Sequence, residues 1–145
     1  QIYVGRNIET FGEYPNEMNR YMPNVEEIFI DPKNSKLSTF GGAVYKGKVS
    51  KISVPYFVPA GARKITLKAI KKVEKGTISY LDKLEEVHFS EGTKVIEGSA
   101  VKSCPNLKRV FIPESVETVS PDAFSGCGDD IEIIRVPTGI HEVTK

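Results

Sequence analysis

The chain has few of the residues that build metal centres and disulfide frameworks. Its 145 residues include two cysteines, two histidines and no tryptophan. Two cysteines are too few for a disulfide scaffold, and no Cys-x-x-Cys motif occurs. Neither His88 nor His141 has a partner at metal-ligand spacing, which argues against a zinc site. We therefore predict that the chain binds no metal and no cofactor.

Long apolar runs and an excess of either charge are also absent. No run of about 18 apolar residues exists, so no segment of the chain is expected to span a membrane. The 20 basic and 19 acidic residues leave a net charge of +1, which gives no support to nucleic-acid binding. The chain begins with Gln1 rather than Met, so we expect a mature or trimmed product. A missing signal peptide then says nothing about export.

What the chain does contain is a sequence repeat. Its period is the distance along the chain from Cys104 to Cys127, and this distance is called the repeat interval below. The segments 80–104 and 104–127 are its clearest copies, and they share their apolar and small residues. The matched pairs are Leu84 with Leu107, Val87 with Val110, Phe89 with Ile112, Ile96 with Val119, Ala100 with Ala123 and Cys104 with Cys127. A further copy follows after an interval one residue longer, which aligns the segments 134–136 and 110–112.

Six copies of the unit are recognised, each with an apolar-x-apolar triplet that is typical of a short strand. The triplets are Ile2-Tyr3-Val4, Ile28-Phe29-Ile30, Tyr56-Phe57-Val58, Val87-His88-Phe89, Val110-Phe111-Ile112 and Ile134-Arg135-Val136. One unit cannot bury its own apolar side, whereas stacked units can, so the predicted fold class is a β-rich solenoid with little helix. We expect a single repeat domain over residues 1–145, irregular over 1–80 and regular over 81–143.

Two insertions account for the irregular half. The first predicts a hairpin with a strand at Ala43–Tyr45, a turn at Lys46–Gly47 and a second strand from Val49 onward. The second insertion, residues 68–75, surrounds a few apolar side chains with lysines. This pattern predicts a short amphipathic helix that ends near Gly76.

The stretch NLKRVFIPESVETVSPDAFSGC, residues 106–127, and its weaker copies resemble the BspA-like leucine-rich repeats, which occur mostly in bacterial surface proteins. The stretch DPKNSKLSTFGGAVY, residues 31–45, is similar to a variant insertion of that family. The resemblance implies a right-handed solenoid with one short parallel strand per repeat. It also implies secretion or attachment to a cell surface, and a role in adhesion, in protein binding or of a kind not yet assigned, because most members have no known activity.

The central residues of the triplets are the most informative set for function. Successive strand side chains point to opposite faces, so these residues are expected to form one outward ladder with steps of about 4.7–4.9 Å. The predicted binding residues are Tyr3, Phe29, Phe57, His88, Phe111 and Arg135, flanked by Glu86 and Arg109. An exposed apolar stripe rimmed by charge is typical of a binding surface. Strand propensity alone, cover by the insertion loops and contacts between copies of the chain are the alternatives.

Cys104 and Cys127 share one repeat position, which Met22 occupies in an earlier copy. Their Cα atoms are expected within disulfide range, although parallel stacking would point both side chains into the core. Buried free thiols are favoured over a disulfide, because a free cysteine behaves as a small apolar residue. No catalytic residue is predicted.

Together these patterns predict a non-enzymatic protein-binding or adhesion module of a secreted or cell-surface protein. The expected partner is a host or cell-surface protein. A structural spacer segment of a longer surface array is the alternative. The first triplet starts at Ile2 and the last copy stops after Val143, so open solenoid ends would also allow self-association.

Overall fold

The computed structural model describes residues 1–47 and 54–137, and short strands make up most of its regular structure. One 3-10 helix, Pro15–Arg20, lies between the first two strands. The strands are β1 Ile2–Val4, β2 Ile28–Ile30, β3 Leu37–Phe40, β4 Ala43–Lys46, β5 Lys64–Leu67, β6 Lys72–Val73, β7 Ile78–Ser79, β8 Glu86–Phe89, β9 Val95–Ile96, β10 Val101–Lys102, β11 Arg109–Pro113, β12 Thr118–Val119 and β13 Glu132–Val136. No helix in these two ranges is long and apolar enough to cross a membrane.

From β5 onward, successive coils contribute strands to three separate parallel ladders, and β1 pairs with β2 in a further parallel sheet. The largest is a four-stranded sheet in the order β13-β11-β8-β5, the second contains β12-β9-β6, and the third pairs β10 with β7. The paired strands come from neighbouring coils, and each has only two to five residues because the chain turns between ladders. The described residues thus form a β-solenoid of about six turns with little helix, which confirms the predicted fold class.

The apolar positions of the repeat face a core that runs through the stacked coils. In the four-stranded sheet, Ile65, Val87 and Val110 are paired in register and fully buried. On the second ladder Val73 pairs with Ile96, and both side chains are buried. Full burial of such a side chain is worth about 1.5–3 kcal/mol, so stacked columns supply the stability that a single coil lacks.

Coil length, rather than the best apolar match, sets the register of the last strand. Ile133 pairs with Val110 and Ile134 with Phe111, so β13 keeps the repeat interval of the preceding coils. The predicted triplet Ile134–Val136 rested on a repeat interval one residue longer, so it lies one position too far along β13. Because β13 has one paired neighbour among the described strands, its apolar residues are not all forced inward, and Ile133 is 52% exposed.

The first half departs from the repeat through an antiparallel hairpin. Gly41 and Gly42 join its strands β3 and β4, and their φ angles of 58° and 91° suit a tight two-residue turn. The predicted strand at Ala43–Tyr45 is confirmed. Its paired strand is the preceding one, β3, whereas the turn predicted at Lys46–Gly47 leads into residues outside the described ranges, where the strand predicted from Val49 also begins.

Strand β4 is buried on both faces and separates two apolar clusters. Ala43 and Tyr45 face the large cluster of the regular coils, whereas Val44 faces a small cluster formed by the first half. All three side chains are fully buried. Because side chains alternate along β4, this strand of the hairpin contributes to the apolar cluster of each half.

Two further predictions for the irregular half are wrong. Residues 68–75 do not form an amphipathic helix, because Val73 lies on β6 and pairs with Ile96 of the next coil. Residues 56–58 are not the ladder strand of their coil either, since that strand is β5. In both places, stacking on the neighbouring coil outweighs the local pattern.

Candidate interaction surface

The outer face of the four-stranded sheet carries two neighbouring columns of side chains. The first column alternates in charge from strand to strand and consists of Lys64, Glu86, Arg109 and Glu132. The second column, two residues further along each strand, consists of Thr66, His88, Phe111 and Ile134. Side chains two residues apart point to the same face. Glu86, His88, Arg109 and Phe111 are referred to below as the strand-face cluster.

The rings of His88 and Phe111 stack at the centre of this face. Their centroids are 4.1 Å apart, and their planes differ by 8°. The parallel register places the two residues opposite each other on β8 and β11, and the buried Val87 and Val110 beside them point to the other face. Even so, His88 is only 9% exposed and Phe111 is partly buried, so the centre of the face is not an open aromatic stripe.

Glu86 joins the two columns. Its Oε1 accepts a hydrogen bond from Arg109 Nε at 2.8 Å, and its Oε2 lies 3.0 Å from His88 Nε2. The hydrogen bond with His88, together with that from Arg109, holds the pKa of Glu86 below its usual range. The carboxylate is therefore ionised at neutral pH and positions both of its neighbours.

A second line of charges runs beside the first. Glu85 pairs with Lys108 at 2.9 Å and with Arg63 at 3.3 Å, and Arg63 lies 3.9 Å from Glu26. The hydrogen bonds from Lys108 and Arg63 lower the pKa of Glu85. Solvent screens such exposed pairs, so they add little stability, but they present a second row of alternating charge.

Tyr3 and Phe29 form a separate exposed pair on the β1–β2 sheet. They are register partners, 67% and 50% exposed respectively. The Tyr3 hydroxyl donates a hydrogen bond to Asp31 at 2.6 Å, which raises the pKa of Tyr3 and lowers that of Asp31. Because the hairpin packs between β2 and β5, the predicted single ladder is divided into two patches.

The prediction that Phe57 faces outward is wrong. Its side chain is 1% exposed and packs edge-on against Phe11, with ring centroids 5.6 Å apart. The reason is its backbone pairing, because Phe57 forms an antiparallel bridge with Val44 of the hairpin rather than joining the parallel ladder. The ring consequently fills the small apolar cluster.

The predicted place of Arg135 is also wrong. In the register of β13, Arg135 pairs with Ile112, and Ile134 takes the outward position beside Phe111. The Arg135 guanidinium donates to the carbonyl oxygens of Pro113 at 3.3 Å and Val116 at 3.1 Å. Arg135 therefore ties the last strand to the preceding coil and does not extend the ladder.

Sequence reasoning missed Lys64, Thr66 and Glu132 as members of this face. A signal for the first two was present, since the apolar-x-apolar triplet 65–67 precedes the triplet 87–89 by about one repeat interval. The triplet 56–58 was the competing choice because a proline follows it, as in the regular copies. Glu132 was missed because its place beside Arg109 follows only if the last coil keeps the repeat interval of the preceding coils.

The remaining candidate groups are the two thiols. Cys104 is buried and Cys127 partly exposed, and both are free. Within residues 1–47 and 54–137, no three His, Cys, Asp or Glu side chains are grouped as metal ligands would be.

The repeat, the stacked ladders and the inserted hairpin define a β-solenoid of the leucine-rich-repeat type. The model of the BspA type leucine-rich repeat region (6 copies) matches residues 36–129, more than half of the chain. The chain belongs to this family. No curated protein and no solved structure matches it significantly. Leucine-rich-repeat solenoids are typically non-enzymatic scaffolds that mediate protein interactions, and BspA-type members generally occur on bacterial surfaces.

Proposed function

We propose that this chain is a protein-binding or adhesion module of a secreted or cell-surface bacterial protein, and that it binds through the strand-face cluster. The observation that carries the proposal is the bridge from Glu86 to Arg109 and His88, which connects a guanidinium to the stacked rings of His88 and Phe111 through one carboxylate. Arginine and aromatic residues often dominate binding at protein interfaces. A side chain that is already positioned loses little conformational entropy when a partner docks.

The alternating charges indicate what kind of partner fits. Arg109 lies between Glu86 and Glu132, and Glu86 lies between Arg109 and Lys64. A uniformly acidic or basic partner would meet like charges at every second strand. The face therefore suits a protein with its own alternating pattern and an apolar side chain to cover Phe111.

A charge reversal tests this proposal. Binding of the wild type to a panel of purified host plasma and matrix proteins is measured with a biosensor. Arg109→Glu should weaken binding of any captured protein at least about tenfold, because it places a third acidic side chain beside Glu86 and Glu132. Lys72→Glu is the matched control, since Lys72 pairs with Glu97 at 3.1 Å on the second ladder. Unchanged binding by the Arg109 variant, or equal losses in both variants, contradicts the proposal.

A structural spacer is the second candidate, and one observation favours it. Neighbouring coils already satisfy the charges of the face, since Glu86 is bonded to Arg109 and His88, and Glu85 to Lys108 and Arg63. These carboxylates therefore need no hydrogen-bond donor from another protein. The spacer role predicts that the wild type captures nothing from the panel, and that Arg109→Glu changes stability alone.

A further inference from the structure

The corner that follows the third ladder stacks three equivalent side chains. Leu81, Cys104 and Cys127 follow one another at the repeat interval. Leu81 and Cys104 are buried, whereas Cys127 is partly exposed. Backbone hydrogen bonds of 2.9 and 3.0 Å hold residues 101–103 against 123–125, directly before the two cysteines. Neighbouring extended segments lie about 4.7–4.9 Å apart, within the Cα separation of about 4.4–6.8 Å that a disulfide requires.

The sulfur of Cys127 leans toward the preceding coil rather than away from it. Its thiol donates to the carbonyl oxygen of Val101 at 3.4 Å. The Cys104 thiol donates to the carbonyl oxygen of Lys102 at 3.5 Å, so both sulfurs lie beside the strand Val101–Lys102. Ser103 has a left-handed φ of 54°, and its N–H donates to the carbonyl oxygen of Ser125 at 2.9 Å, which holds the two coils together beside the cysteines.

These contacts make the two thiols unequal. Interaction with the Cys104 thiol, together with nearby backbone N–H groups, lowers the pKa of Cys127 below that of an ordinary thiol. Interaction with Cys127 and burial raise the pKa of Cys104. The more readily ionised sulfur is therefore also the one that solvent reaches, which is the environment of a reactive thiol.

We propose that Cys104 and Cys127 are a redox pair that reacts with small-molecule disulfides and closes a disulfide between neighbouring coils. The Cys127 thiolate attacks one sulfur of the small disulfide, forming a mixed disulfide and expelling one thiolate. That thiolate takes the proton of the Cys104 thiol, and the Cys104 sulfur attacks Cys127 and expels the second small thiolate, which is protonated by solvent. The protein is oxidised by two electrons, and the small disulfide is reduced to two thiols.

The cross-link would add a covalent bond between two successive coils that hydrogen bonds and the shared apolar core already hold together. In the unfolded chain it would close the loop from Cys104 to Cys127, and this restriction favours the folded state. This inference concerns a different face from the strand-face cluster and does not depend on the proposed function.

The experiment uses the whole folded chain in a series of buffers with defined ratios of reduced to oxidised glutathione. Remaining thiols are trapped with iodoacetamide, and intact mass and peptide mapping locate every modification. We expect a monomeric species that has lost two hydrogens, a peptide pair linking Cys104 with Cys127, and a Tm higher by on the order of 10 °C. Cys104→Ser should accumulate a glutathione adduct on Cys127, whereas Cys127→Ser should stay largely unmodified at buried Cys104.

Three outcomes overturn the proposal. The first is two free thiols in the wild type at every glutathione ratio. The second is a glutathione adduct on Cys127 that persists in the wild type without closing the internal disulfide. The third is a disulfide between two chains. Because the wild type alone gives each of these results, the proposal stays testable even if a cysteine variant fails to fold.

Discussion

Tyr3 and His88 occupy the same position of the repeat, yet their surroundings differ between the irregular and the regular half of the molecule. Tyr3 is 67% exposed on a sheet of two strands, whereas His88 is 9% exposed on a sheet of four. Strand β8 has paired neighbours on both sides, and β1 has one among the described strands. The position in the repeat therefore decides which way a side chain points, and the stacked neighbours decide how far it is buried.

The hairpin is the physical origin of this difference. In the regular half, coils of nearly constant length bring charged and aromatic side chains into columns, so Glu86 can reach both Arg109 and His88. In the irregular half, β4 stands between the two apolar clusters and interrupts the columns. The aromatic patch of Tyr3 and Phe29 is consequently isolated from the strand-face cluster.

The largest effect expected comes from a comparison of Phe57 with Phe29, which occupy equivalent predicted positions. Phe57→Ala removes a buried ring from the small cluster and should lower the free energy of unfolding by about 3–5 kcal/mol. Phe29→Ala removes a half-exposed ring and should cost about 1 kcal/mol or less. Urea unfolding measures both. Equal losses of unfolding free energy in the two variants would mean that Phe57 does not lie in the core. Such a result would support the predicted single outward ladder.

A smaller effect on the free energy of unfolding is expected at the turn between β3 and β4 of the hairpin. Gly41 has a φ of 58°, and a Cβ placed there would lie 2.0 Å from the carbonyl oxygen of Thr66. Gly41→Ala should therefore lower the free energy of unfolding by about 2–4 kcal/mol. Gly5→Ala is the control, because no heavy atom lies within 4 Å of that Cβ, and it should change stability by about 0.5 kcal/mol or less. A neutral Gly41 variant in thermal unfolding would show that the hairpin does not pack closely against β5.

The smallest effect is expected within the regular half, where Glu86 and Glu85 are neighbours with different surroundings. At pH 7, Glu86→Gln should cost about 1–2 kcal/mol, because a neutral amide binds Arg109 and His88 less strongly. The pKa of Glu86 is lowered in the folded state. Its stabilising contribution is therefore present above the unfolded pKa, near 4.5, and lost as the pH falls through the folded value.

The pH dependence of unfolding by urea separates charge from packing at this site. The difference between the wild type and Glu86→Gln should shrink as the pH falls below about 4.5. Glu85→Gln serves as the matched control on the exposed line of charges and should produce a smaller difference at pH 7. If the cost of Glu86→Gln stays constant down to pH 2, the carboxylate acts through packing, and the electrostatic account of the cluster is wrong.

Much of the regular half could be predicted from the sequence. The repeat interval identified the strands of Val87–Phe89 and Val110–Ile112, and with them the outward direction of His88 and Phe111. The irregular half was harder because two apolar triplets, 56–58 and 65–67, compete for one ladder position. Neither propensity nor a following proline distinguishes them, since the choice depends on which segment pairs with the next coil.

The candidate site was predictable in part for the same reason. Glu86 and Arg109 were recognised as flanking residues, but the bonds that join them to each other and to His88 depend on distances that only the stacked coils establish. Arg135 was assigned to the ladder because an interval one residue longer aligned more apolar residues. Backbone hydrogen bonds between coils keep the regular repeat interval, which outweighs the burial of a few side chains on a strand with one paired neighbour.

By itself, the sequence determined that the chain is a stack of short repeated units, because only stacking buries the apolar side of each unit. It also determined which residues of the regular coils point inward and outward, because side chains alternate along a strand. The tertiary structure decided how those columns end and where they break. Long-range pairing sets these features, since Phe57 meets Val44 of the hairpin, and the sulfur of Cys127 lies against the coil that carries Cys104.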